Sequence, residues 1–361
     1  MTASHIFYFI LSMVILFLAY QAEQMNNSVY VKLIVCLLTL VAGLRNIDVG
    51  RDTITYTKYF DMVCCGYKVD VETGFVVLMK LVSLVSKNPN TFFTLCALIT
   101  YGCVAWRMWE LREDSGFCIA FFSYYTFYFF GSMNVMRQYM SVAILFWATR
   151  YIKRMDTEQG AYAKFIFFLL IATSIHTSSI LGIVFIVVQL FFLKYQKAED
   201  KYKLAILGIV GCIAFAAFIP AMESALEKYT HYTSNVDSDM GMRIPALLAI
   251  WIVSILVYRS SDAYINDSSD WENYLLSTTR FYFLLSCLLS LIGYKYKVVG
   301  RVSWMFNMFQ GVYYGIILRE WSEVQRVLLK VMVYVVVGYV LVQYVFLLNG
   351  DNIHPYKTFW M

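Results

Sequence analysis

Arg45, Asp48, Arg51 and Asp52 fall within eight residues, in the stretch GLRNIDVGRDTITY at 43–56, directly after an apolar run. Charges at a membrane boundary are costly unless water, a partner or a ligand satisfies them, so the cluster reads as a site. Guanidinium groups keep their charge and present forked donors that match a diphosphate or a carboxylate. Asp48 and Asp52 either hold those arginines or act as a base. The competing structural reading is a salt-bridged interfacial knot, with Arg45 snorkelling from the end of the span.

A second constellation is SMNVMRQYMS at 132–141, where Asn134, Arg137, Gln138 and Ser141 share one stripe if the segment is a helix. A polar stripe facing lipid is unstable, so it lines a cavity or grips another helix. Arg137 favours the cavity, because an anion or an acidic neighbour must lie near it. The third is SIHTSS at 174–179, in which His176 sits among hydroxyls, Ser179 included. Such a histidine suits a general base or a hydrogen-bond donor to sugar or phosphate; the alternative is a packing residue. No acidic residue is near it in sequence, so a partner must come from a distant segment. Weaker signals are Glu72 before an apolar run, a basic cluster of Lys295, Lys297 and Arg301, the loop 221–243 with EKYTHYTSN, and the tail DNIHPYKTFW. Tyrosines at a membrane mouth are first of all interfacial belt residues, although their faces also stack on sugars.

These residues must be positioned by membrane helices. Of 361 residues, 60% are hydrophobic, 18% aromatic and only 15% charged, and the mean hydropathy is +0.61. The apolar residues come in uninterrupted runs, at 5–20, 29–44, 74–86, 91–106, 117–131, 137–151, 163–176, 178–193, 202–220, 244–258, 273–293, 301–318 and 327–348. The expected architecture is all-α, a single polytopic membrane bundle over 1–361 with about 12 to 14 spans. Several runs fall short of the roughly 20 residues a span needs, which predicts broken or re-entrant helices around a water-filled cavity. Residues 5–19 lack a basic n-region and are read as a first span.

The net charge of +5 lies mostly in connecting loops and sets orientation; it forms no nucleic-acid patch. Basic loops at Arg150–Lys164 and Lys194–Lys203 are expected inside, which places a hairpin tip at His176, together with Asn134 and Arg137, toward the external face. For the loop 45–73 the rule hardly decides. Either one of the runs 74–86, 91–106 or 117–131 fails to cross, or the arginine motifs face opposite sides; the first option is the expectation. Six of eight cysteines lie in or beside apolar runs, and no Cys/His spacing suits a metal. No structural zinc, other metal or redox cofactor is expected. No P-loop, dinucleotide fingerprint, H-E-x-x-H or nucleophile elbow is present in the sequence.

Taken in order, the pieces resemble the EpsG-like family of bacterial polysaccharide polymerases, relatives of the Wzy O-antigen polymerases. The resemblance is carried by GLRNIDVGRDTITYTKYF with Tyr56, by Glu72, by the Asn-x-x-Arg-Gln of 134–138, by His176 and Ser179, by the Lys-Tyr-x-x-Tyr with Tyr229 and Tyr232, by Arg301, and by Pro355-Tyr356. It implies a GT-C-like glycosyltransferase in the bacterial cytoplasmic membrane. Such an enzyme joins oligosaccharide units carried on undecaprenyl diphosphate into exopolysaccharide, capsule or O-antigen at the external face. It also implies catalytic roles for Arg45, Asp52, Arg137 and His176, and substrate contacts for Tyr56, Glu72, Asn134, Gln138, Ser179, Tyr229, Tyr232 and Arg301; Asp48 and Arg51 are expected substrate contacts from their own charges and not from the resemblance. Arg51 stands where the family has a small residue. The implied partners are lipid-linked donor and acceptor, membrane lipids and a chain-length regulator, with no cofactor. A flippase for the same lipids and a membrane O-acyltransferase are the alternatives.

Overall fold

Helices account for nearly all of the chain that the computed structural model describes, residues 2–154, 158–194, 243–259, 270–295, 297–319, 323–347 and 352–360. Four helical stretches among them are long and apolar enough to cross a membrane: Ala3–Gln24, Pro89–Glu110, Tyr274–Gly293 and Val327–Leu347. Shorter apolar helices include Ser28–Gly43, Thr73–Val85 and Ala161–Ile175. Contacts group the chain into two compact units, Met1–Phe185 with Val337–Met361, and Ile186–Val336.

In the first unit, α1 (Ala3–Gln24), α2 (Ser28–Gly43) and α5 (Pro89–Glu110) run between two ends. At one end Glu110 pairs with Arg150 at 2.6 Å and with Arg107 at 3.4 Å, and the Arg112 Nε donates to Asn26 at 2.7 Å. At the other, the Asn90 amide donates to the carbonyls of Gly43 (2.9 Å) and Arg45 (2.8 Å). After a short helix, α6 (Arg112–Ser115), the chain runs antiparallel to α5 as α7 (Phe117–Tyr124), a π-helical turn (Tyr125–Phe129) and α8 (Phe130–Asn134). It reverses at Val135 (φ −88°, ψ 52°) and returns as α9 (Met136–Ala148), which ends where Arg107 Nε donates to Thr149 at 3.2 Å. The expected polar stripe is thus interrupted: Asn134 closes α8, and Arg137, Gln138 and Ser141 open α9.

Between α2 and α5 lie α3 (Thr53–Cys64) and α4 (Thr73–Val85). Thirteen residues of α4 rise only about 20 Å, against the roughly 30 Å of a hydrocarbon core. Its start is fixed by Phe75 edge-on to Phe92 (5.2 Å), and at its end the Ser86 hydroxyl accepts from Thr91 at 3.0 Å. Both ends therefore sit beside the first turns of α5, and the helix expected as a span at 74–86 is among the shorter apolar helices, not among the four long enough to cross. α10 (Ala161–Ile175) ends at His176, after which a 3-10 turn (Thr177–Gly182) packs back on α10 and α9 and leads into α11 (Ile183–Lys194).

The last residues of the chain return to the Arg45 end as a strap. Gly50 N–H donates to Asn352 O (2.8 Å), Asn46 N–H to Lys357 O (2.8 Å) and Phe359 N–H to Leu44 O (2.9 Å). The Tyr356 hydroxyl donates to Val41 O at 2.9 Å and Tyr8 to Ile353 O at 3.1 Å, which ties the strap to α1 and α2.

The second unit contains α12 (Arg243–Arg259), α13 (Asp270–Lys295), α14 (Lys297–Asn307) and α15 (Gln310–Arg319). α13 and α14 pair tightly, with Ser290 donating to Ser303 at 3.0 Å, and Ser254 hydrogen-bonds Tyr313. α16 (Glu323–Val342) leads back to the strap. The run expected at 202–220 and the loop 221–243 up to residue 242 lie outside the described residues.

Candidate functional site

Arg45 is 1% exposed, and each of its nitrogens finds a protein oxygen. Nη1 donates to Ala42 O, Nη2 to Met133 O at 2.9 Å and Nε to Thr53 Oγ1 at 3.2 Å, while the guanidinium lies 4.8 Å over the Phe93 ring. Ala42 and Met133 are in the last turns of α2 and α8, where carbonyls lose their intrahelical partners. A buried cation there satisfies both ends and meets the negative pole of both helices. This brace holds Arg45 and the Arg137 hairpin at one end of the unit. Hydrogen bonds to a charged group contribute about 1.5–3 kcal/mol each, and an ammonium replaces one of the three. Arg45→Lys is therefore expected to lower stability by about 3 kcal/mol or more, read as a fall in the thermal midpoint of the purified protein. An unchanged midpoint with lost activity would return Arg45 to direct substrate binding.

The site forms where α4, α9 and α10 each bring one end together. Glu72 occupies the N-cap position of α4 but does not cap it. Its Oε2 pairs with Arg137 Nη1, and its Oε1 accepts from His176 Nδ1 (2.9 Å), Thr177 N–H (3.2 Å) and the Thr177 hydroxyl (3.1 Å). Burial alone would raise the Glu72 pKa. The hydrogen bonds from His176 and backbone N–H groups, with the Arg137 charge, overcome it and hold the carboxyl at about 2. A group so firmly ionised only accepts, so His176 Nδ1 carries the proton of that hydrogen bond, and in the neutral ring Nε2 is then the nitrogen left to accept another. The side chains of Arg137, Glu72 and His176 keep 24%, 18% and 21% of their surface exposed, which leaves them within reach of a ligand. Arg137 Nε is buried with no hydrogen-bond partner among the described residues.

Several close approaches fix this arrangement. A Cβ on Gly74 would stand 2.2 Å from Ser174 Oγ and 2.7 Å from its carbonyl oxygen, so only glycine lets α4 bring Glu72 to the end of α10. Gly50 has φ +95°, and a Cβ there would meet Asn134 Oδ1 at 2.8 Å, so glycine also seats the 45–52 loop on the hairpin. Ser179 donates to Ser141 at 2.8 Å and joins the His176 turn to α9. Tyr56 is buried, edge-on to Phe75 at 5.9 Å, and the Arg137 guanidinium lies 5.8 Å over the same Phe75 ring.

The residues singled out in the sequence separate into groups. Glu72, Arg137, His176 and Tyr56 meet, and Ser179, Gln138 and Asn134 pack behind them, the last two 1% and 3% exposed. Asp48 and Arg51 are exposed on the loop, and Asp52 is half-buried one turn before Tyr56. Arg301 is exposed on α14 in the second unit, and Tyr229 and Tyr232 lie outside the described residues. The centre of the site, Glu72, was among the weaker sequence signals. Thr177 was not singled out, although it follows the histidine directly.

Among known proteins, the family model of the EpsG family matches residues 28–358, nearly the whole chain. No curated protein and no solved structure matches it.

Proposed function

Because this chain belongs to the EpsG family, whose members are polysaccharide polymerases, we propose that it is a glycosyltransferase of the bacterial cytoplasmic membrane that joins oligosaccharide units carried on undecaprenyl diphosphate. The observation that carries this reading is the Glu72 bridge, in which one carboxylate holds both a guanidinium and an imidazole. Polymerisation needs that pair of chemistries: a base for the acceptor hydroxyl and a cation for the departing diphosphate.

The acceptor oxygen attacks the anomeric carbon of the donor sugar, and its proton passes to His176 Nε2. The bond from that carbon to the diphosphate oxygen breaks, and its electron pair leaves on the lipid diphosphate. Arg137 meets this charge with Nη2, the outer nitrogen that Glu72 does not occupy, in a site where scarce water makes a preorganised donor effective. Glu72 orients both groups, and Arg45 is a positioning residue behind them. Purified protein in liposomes with defined lipid-linked units tests the reading: glycans of several units are expected, whereas lipid movement without elongation would make the protein a flippase and ester formation an acyltransferase.

The site opens, in this reading, at the external face. The basic loop that begins at Arg150 lies at the opposite end of the unit, the end that the positive-inside rule assigns to the cytoplasm. An Asp48→Cys variant, in a background with Cys64 and Cys65 replaced by serine, is expected to react with a membrane-impermeant maleimide on intact cells. Labelling only after permeabilisation would reverse the orientation.

A further inference from the structure

On the outer face of α2 and α5, away from the Glu72 cluster, runs an apolar groove of about 370 Å³ between Leu40 and Leu98 at one end and Lys32 and Trp106 at the other. Gly102 lines the groove and faces open space; a Cβ there would meet nothing within 4 Å. Its length, the eight residue steps from Lys32 to Leu40, is about 12 Å along the helix. Its volume, 370 Å³, is roughly that of a dozen waters, yet the walls offer water few partners. α5 is one of the helices long and apolar enough to cross a membrane, so this face meets hydrocarbon chains.

The charge at one end decides which lipid. Nearby cations of the same end are spoken for: Arg107 and Arg150 share Glu110, and Arg112 pairs with Glu113. Lys32 is exposed, and among the described residues it has no such partner. A lysine one turn inside a membrane helix, with an indole beside it, marks the headgroup level. We propose that the groove binds one acyl chain of an anionic phospholipid, with the lipid phosphate on Lys32 and the chain lying over Gly102 toward Leu40 and Leu98.

Cys36 lines the groove and is exposed, so it reports occupancy directly. The purified full-length protein is treated with N-ethylmaleimide after addition of phosphatidylglycerol or phosphatidylcholine vesicles, and alkylation of Cys36 is followed by peptide mass mapping against the exposed Cys65 as reference. Phosphatidylglycerol is expected to slow Cys36 alkylation about fivefold more than phosphatidylcholine does, the size of effect one lysine exerts at an anionic surface. Lys32→Gln, a surface change, is expected to remove that preference, and Gly102→Leu to remove the effect of either lipid by filling the groove. Equal protection by both lipids, no protection by either, or a phosphatidylglycerol preference that survives Lys32→Gln would overturn the proposal. So would protection by a polyprenyl phosphate where phosphatidylglycerol gives none, since the groove would then serve the substrate's own tail.

Discussion

An Arg137→Ala variant that inserts and accumulates normally is expected to make no polymer and to leave single repeat units on their lipid carrier. Two losses combine. The developing charge on the diphosphate loses a preorganised donor, an effect of about 10²–10³ in rate for one such group. In addition, the Glu72 carboxylate, 18% exposed and paired with Arg137, is left facing the substrate's own negative charge. The deficit in elongation rate should therefore exceed that of a single missing hydrogen bond. Arg137→Lys keeps the charge but not the fork, so it can serve either Glu72 or a phosphate oxygen well, not both. It should fall between wild type and alanine, with short glycans in place of long ones. The measurement is a gel ladder from liposome-reconstituted protein at matched amounts. Ladders of normal length from Arg137→Ala would take the cation role away from this residue.

How far the site was legible follows from the range of the contacts that build it. The three charged or polar motifs were visible because each is an exception within apolar sequence. Their convergence was not, since Glu72 reaches Arg137 and His176 across 65 and 104 residues of chain. Glu72 looked like an ordinary residue before a span, and α4 looked like the span. The warning was its length, 13 residues where crossing needs more. Residue type alone does not settle the role of Arg45. A guanidinium after an apolar run reads as a ligand group, but whether its forks meet phosphate or helix-end carbonyls depends on Met133, 88 residues away. Nothing in SMNVMRQ announces the reversal at Val135, which has no glycine or proline beside it. The turn is stabilised from outside, because Arg45 satisfies the carbonyl that the broken helix leaves open. The aromatic tail was read as interfacial, and its backbone pairing with the 44–50 loop had no signal at all, being a contact between residues some three hundred positions apart.

The second large effect separates the base from the group that orients it. His176→Ala should lower elongation by about 10²–10⁴, the usual contribution of a positioned general base, and free imidazole added to the assay should restore part of it. Glu72→Gln should cost as much, yet imidazole should not help. Its amide can donate as well as accept, so the His176 ring is no longer held with the proton on Nδ1, and a wrong tautomer at Nε2 blocks proton transfer. The variant also carries a stability signature that a merely catalytic role would lack. In the wild type the Glu72 carboxyl is held at about 2 against an ordinary 4.5, so it contributes stability in full above pH 4.5 and loses it as pH falls toward 2. Glu72→Gln should be less stable at neutral pH and should show less further loss over that acid window, measured as thermal midpoints at stepped pH. Full elongation by His176→Ala would break the assignment and move the base to Asp52, the carboxylate one turn before Tyr56. Imidazole rescue of Glu72→Gln would show that the variant loses the position of the His176 ring and not its tautomer, since added imidazole repairs only a base that has left the site.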